Sequence, residues 1–321
     1  NSAAIDTVID VTVSTVSPAS GGAAAETIAS IKFNAPLDYA AQGRCVTAED
    51  YKTFVKRFYP NTQAVSIFGG ENGSFDDTVG VVSTPEYGKV FISIKSTTGN
   101  NLTDSEKTTL VNNLASFTVA SITPVIVDPE TLFLILDVNA QFNSSLTTET
   151  PNSIASLVNT TLINFNNDDL QQFNSVFRHS KVVGLIDNTD KSITSNVTKI
   201  TMGKFFTPTL SSSIGYTINF NNAFFHPHEG HNGANGGVLA SSGFKVSGDT
   251  VNEQFFDDDG NGNLRIFFLL AGVRTYIDNT AGTINYGTGE IKINPVNIIS
   301  ISDVDGSSSE QIRITATPDS Q

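Results

Sequence analysis

Hydrophobic positions along this chain switch between a helical and an extended period. Residues 5–16 alternate loosely and predict a strand, ending before Pro18. Residues 26–33 predict a short helix with Ile28 and Ile31 inward, stopped ahead of Pro36. Tyr51, Phe54, Val55 and Phe58 then follow at i, i+3, i+4 and i+7, one apolar stripe of a helix. Thr47 is its predicted N-cap, with Asp50 three residues on as an acidic capping box. Pro60 ends that helix, and residues 64–68 alternate as a strand would. Residues 69–85 are rich in Gly, Asp and Ser and predict a surface loop.

Residues 87–94 predict a strand, and Thr103 with Glu106 a second capping box, for a helix carrying Leu110, Leu114 and Phe117. Two strands, 122–127 and 131–142, are expected to meet at the turn Asp128-Pro129-Glu130. Thr150 and Pro151 open a further helix with Ile154, Leu157, Val158 and Leu162 inward. A short helix over 169–177, a segment at 182–186 and a strand at 195–202 complete this part, with His179 capping a helix C-terminus. From Ile214 onward short apolar alternations recur between turns, and Gly287-Thr288-Gly289 signals a hairpin. A β-sandwich or paired-hairpin domain is expected there. The fold class is α+β: mixed α/β sandwich-type domains, then an all-β C-terminal domain. The expected divisions are 1–86, 87–207 and 208–321, with a hinge near Pro208.

The run ETIASIKFNAPLDYAAQGRCVTAEDYKTFVKRFYPNTQAVSIFGGE carries an idiosyncratic NAP-x5-QxRxVTAEDY pattern. It resembles the large baseplate wedge subunits of T4-type contractile-tailed bacteriophages, and more broadly the baseplate J-like group. The similarity weakens toward Met202, and beyond it only a β-rich tail is expected. Because the chain begins at Asn1 without a methionine, it is expected to be the C-terminal portion of a longer protein. The resemblance implies a virion component of the tail baseplate, assembled in the host cytoplasm. It implies partners too: the chain itself, as a homodimer and a ring of twelve copies around the central hub, and other wedge proteins. It also implies a conformational switch that triggers sheath contraction. It supplies no interface residues by motif.

Composition narrows the alternatives. A length of 321 residues suits two or three domains of about 150 residues or fewer. Only 16% of residues are charged and 39% are hydrophobic, enough for real cores. The net charge of −14 argues against a nucleic-acid partner, since phosphate binding needs clustered Lys and Arg. No stretch approaches the roughly 20 apolar residues of a membrane span. One cysteine, Cys45, cannot form an intramolecular disulfide and fits a reducing compartment.

Two clusters hold candidate chemistry. His226, His228 and His231, with Glu229, bring zinc-type ligands into six residues, but Pro227 and Gly230 prescribe a loop and no helical His pair is formed. Asp257, Asp259 and Asn261 have the D-x-D-x-N-G spacing of half a calcium loop. The twelfth position of such a loop is Phe268, where a carboxylate is required, so an Asp/Gly turn between strands is the plainer reading. No metal, cofactor or catalytic residue is therefore assigned. No nucleophile elbow, P-loop or dinucleotide fingerprint occurs, and the chain is expected not to be an enzyme. The alternative function is a β-rich surface binding module, recognising glycans with calcium; the absence of Trp weighs against it.

Overall fold

The computed structural model describes residues 27–76, 80–82, 84–99, 101–231 and 237–319. The strand expected over 5–16 lies outside them. The chain divides into two compact units, one running to Gly69 and resuming over Gly88–Asp128, the other comprising Gly70–Tyr87 and Pro129–Gln321. The protein is a mixed α+β structure, with helices in the first two thirds and only strands beyond them.

In the first unit, α1 (Ile28–Ala41) is longer than the sequence predicts and holds Pro36 inside it. Proline forfeits one helical bond, and Lys32, whose carbonyl would have accepted it, is exposed. Ile28 and Ile31, expected inward, are 73% and 48% exposed. Helix α2 (Ala48–Phe58) follows the sequence pattern. Its capping box is formed: Thr47 N–H donates to Asp50 Oδ2 at 2.8 Å, and Asp50 N–H to Thr47 Oγ1 at 3.3 Å. Tyr51, Phe54 and Val55 are buried, and the Phe54 ring meets Phe117 at 4.7 Å between centroids.

Strand β1 (Thr62–Gly69) comes next, followed by a small hairpin of the second unit, β2 (Ser74–Asp76) and β3 (Gly80–Val82). The first unit resumes with β4 (Lys89–Ser96), α3 (Asp104–Ala115) and β5 (Thr123–Val127). Thr103 and Glu106 form the second capping box. β4 lies between β1, antiparallel, and β5, parallel. A parallel neighbour needs a crossover, and α3 supplies it. Phe54, Ile92, Ile94, Leu110 and Leu114 form the centre of this unit's core.

The second unit continues with β6 (Phe133–Phe142), α4 (Pro151–Phe165), α5 (His179–Asp187) and β7 (Ile193–Phe206). The turn expected to join two strands at Asp128-Pro129-Glu130 instead separates two sheets, since β5 pairs with β4 and β6 with β7. The helix expected over 169–177 is absent: α4 loosens into a π turn (Asn166–Leu170), and Asn174 adopts φ 61°. Segment 182–186 is helical, because Val182 and Ile186 stack at i, i+4 and both are fully buried. His179 opens α5, the opposite of its expected C-terminal position, and its Nε2–H donates to Thr198 O at 3.1 Å.

The remaining strands are β8 (Ser213–Asn219), β9 (Leu239–Ser241), β10 (Phe244–Val246), β11 (Asp249–Asp258), β12 (Asn263–Leu270), β13 (Val273–Asn285), β14 (Glu290–Ile301) and β15 (Ile312–Ala316). The sheet order is β10-β14-β13-β12-β11-β9-β15-β7-β6, with β8 on β14. Because β10 also pairs with β11, five strands close into a barrel, where the sequence suggested a sandwich or paired hairpins. All five pairings are antiparallel, and an odd ring cannot alternate direction unless a strand turns. β14 has its register shift between Ile293 and Val296, at Pro295. Gly282 of β13 permits the close crossing there: a Cβ would sit 2.1 Å from Lys292 O. Phe244, Phe256, Leu264, Ile291 and Ile298 fill the barrel, each fully buried.

Candidate functional site

Both candidate clusters of the sequence converge at one end of the barrel, around the loop that joins β11 to β12. Strand alternation sends the adjacent Asp257 and Asp258 to opposite faces. Asp257 is 1% exposed and lies directly across from Arg265. Arg265 Nε–H donates to its Oδ1 at 2.9 Å; Arg274 Nη1–H and Tyr276 O–H donate to Oδ2 at 2.7 and 2.9 Å. Arg265 also lies over the Tyr276 ring at 4.2 Å and Arg274 over Phe267 at 4.7 Å. Burial pushes the Asp257 carboxyl above its ordinary range, and the Tyr276 hydroxyl and two guanidiniums work against that rise.

Asp258, also 1% exposed, accepts Leu239 N–H at 2.9 Å and Tyr286 O–H at 2.7 Å. Burial, then the bond to this carboxylate, drives the Tyr286 hydroxyl far above the ordinary tyrosine value. His226 stacks flat on Tyr286, at 4.0 Å and 8°, and its Nε2–H donates to Gly260 O at 2.8 Å. Gly230 N–H donates to the same carbonyl at 2.8 Å, which ties the histidine loop to the aspartate loop. Gly260 has φ +74°, and a Cβ on it would come 2.7 Å from His231 O. The loops can approach only because it is glycine.

The six candidate ligands therefore sit close in the fold, and each is tied to the protein by at least one hydrogen bond. His228 Nδ1–H donates to Glu229 O at 3.0 Å, which leaves Nε2 to accept from His231 Nδ1–H at 3.4 Å. Asp257 points away from the turn into its arginines. Asp259 Oδ1 accepts Asn261 N–H at 2.7 Å and Asn263 N–H at 3.0 Å, the pattern of an Asx turn. Burial raises the Asp259 carboxyl's pKa, but the bonds from Asn263 and Asn261 outweigh it and leave the value lowered. Among the described residues no three His, Cys, Asp or Glu side chains gather as metal ligands. An open cleft of about 520 Å³ runs beside the loops, lined by His226, Glu229, Asn261, Tyr286 and Glu290.

Sequence reasoning missed Asp258, Tyr286, Arg274 and Tyr276. One signal was available: Arg265 interrupts the apolar run 264–270, and an arginine there needs a buried partner. Away from these loops the exposed features are apolar groups: Ile28, Phe33 and Tyr39 on α1, Leu269, Leu270 and Val273 at the β12–β13 tip, Phe133 and Val197 on β6 and β7. Among the described residues no helix is long and apolar enough to cross a membrane.

Residues 47–127 match the family described as baseplate structural protein gp6, C-terminal domain I, and residues 130–204 match its C-terminal domain III. The two matches meet at Asp128-Pro129, where the two structural units divide. Baseplate wedge protein gp6 of Enterobacteria phage T4 is 29% identical over 185 residues, which is 57% of this chain and 26% of that relative. The chain thus spans about a quarter of the curated relative's length. Residues 47–204 are thus similar, domain by domain, to two C-terminal domains of the baseplate structural protein gp6.

Proposed function

We propose that this chain is a structural component of a phage tail baseplate wedge, which acts through its surfaces and not by catalysis. The observation that carries this reading is the pair of gp6 domain matches, each falling on elements with a hydrophobic core of their own. In this role the chain associates with itself and binds neighbouring wedge proteins in the ring around the central hub. It passes on the conformational change that releases sheath contraction. Its place is the tail baseplate of the virion. Residues 208–321 act as a β-rich module added to the matched domains, which end at residue 204. The apolar groups exposed on α1, β6 and the β12–β13 tip support an assembly role, because such groups gain by being covered.

The test is co-purification of the 321-residue chain with the other wedge proteins of its phage, together with light scattering over a range of concentrations. Stable complexes with at least one wedge protein are expected. A chain that binds none of them and stays monomeric throughout overturns the reading.

A further inference from the structure

The ten-residue strand β6 ends the large sheet and pairs only with β7 among the described residues, which leaves its other edge open. Edge strands are ordinarily guarded by Lys, Pro or a central bulge. β6 (FLILDVNAQF) has neither Lys nor Pro, its one charge is Asp137, and its register shift falls at the very end, between Gln141 and Phe142. Leu136, Val138, Ala140 and Phe142 pack into the core beneath the helices and Leu134 against the barrel core, while Phe133, Ile135, Asp137, Asn139 and Gln141 are exposed.

We infer that this edge is where a second copy of the chain pairs, β6 against β6 antiparallel, about a two-fold axis midway between the two Val138 residues. The proposal rests on the self-association just proposed and gives it an address. An axis perpendicular to the sheet keeps the helix-covered face on one side, so residues of like parity lie opposite one another. Two registers of this kind span nearly the whole strand. Centring on Asp137 sets that carboxylate against its own copy, and directly opposed like charges are destabilising. Centring on Val138 sets Asp137 against Asn139 of the other copy, an acceptor facing an amide. On the core face the same register matches Val138 with itself, Leu136 with Ala140, and Leu134 with Phe142. Leu136 then meets the small Ala140 on either side of the axis, and a ten-strand sheet continues into its copy without an exposed edge.

The test uses the full chain, with the dimer dissociation constant measured by light scattering and sedimentation. Asn139→Asp places two carboxylates opposite each other twice per dimer and should weaken it by about tenfold; Asn139→Lys should tighten it by a similar factor. Thr288→Asp, at an exposed hairpin position, changes the net charge equally and should leave the constant unchanged. Both Asn139 variants alter an exposed side chain, and an unchanged melting curve establishes that they fold. A dimer indifferent to both Asn139 variants overturns the β6 edge while self-association stands. Weakening by both overturns the Val138 register. A monomer at every concentration overturns the edge and the self-association together.

Discussion

Asp257 and Arg265 face one another across β11 and β12, joined by a 2.9 Å bond from Nε to Oδ1, in a place where neither side chain is more than 11% exposed. Their partners Arg274 and Tyr276 come from β13, so one carboxylate joins three consecutive barrel strands. Removing one member of such a pair leaves the other charge buried alone. Asp257→Ala should therefore destabilise the barrel by about 3–5 kcal/mol, whereas Asp257→Leu combined with Arg265→Met should cost far less. Urea unfolding of the single and double variants checks this. Equal losses in both would mean that packing, not charge, dominates the site.

The bend in β14 depends on an absent side chain. Gly282→Ala would place a methyl group 2.1 Å from Lys292 O, a contact that backbone must move to relieve. A loss of about 1–3 kcal/mol or more is expected, against near neutrality for Gly287→Ala, where a Cβ meets only Asn285 Oδ1 at 3.5 Å. Thermal melts of the two variants separate them, and equal melting temperatures would remove the crossing argument.

Alkaline pH should loosen the first unit. Burial, with Asp50 nearby, pushes the Cys45 thiol from 9.0 up to about 12. Burial, and then Cys45, pushes the Tyr51 hydroxyl from 10.0 up to about 12. The folded state holds both protons after the unfolded chain has released them, so stability is intact below pH 9.0 and falls as pH rises toward about 12. Each group adds a slope of about 1.4 kcal/mol per pH unit within its window. Cys45→Ala should remove most of the fall between pH 9 and pH 10, leaving the smaller part due to Tyr51, whose unfolded-state value is 10.0. Denaturant unfolding at those two values is the measurement, and a slope undiminished by the substitution would assign the effect elsewhere.

Calcium should leave the barrel's stability unchanged. Both oxygens of Asp257 are held by arginines and Tyr276, and Asp259 caps its own turn. A native site would raise the melting temperature progressively with calcium, following RT ln(1 + [L]/Kd). Calorimetry from micromolar to millimolar calcium decides the matter. A rising curve would restore the calcium-dependent binding module as a competitor.

Much of the local structure was legible in residue order. Thr47 with Asp50, Thr103 with Glu106 and Thr150 before Pro151 start three helices as their patterns predict, because a cap is satisfied within three residues. Tyr51, Phe54 and Val55 are buried because their spacing places them on one face. The β13–β14 hairpin closes around Gly287–Gly289, with Gly289 at φ +73°. The candidate site was half legible: its histidine and aspartate loops were found, but not the tyrosine that lies between them.

Sequence alone determined the capped helices, the tight hairpin and the likeness to gp6, since these depend on neighbours a few residues apart or on a contiguous motif. Tertiary structure decided that β5 and β6 part into separate sheets, that α1 continues through Pro36, and that five strands close a barrel. It also decided that Asp258 meets Tyr286 across 28 residues of chain. Such pairings are selected by burial and complementarity among many competing partners, and a loop's closure entropy grows too slowly with length to favour one distant partner over another. Order along the chain therefore carries the caps and turns, while the choice of partner strand rests with the assembled core.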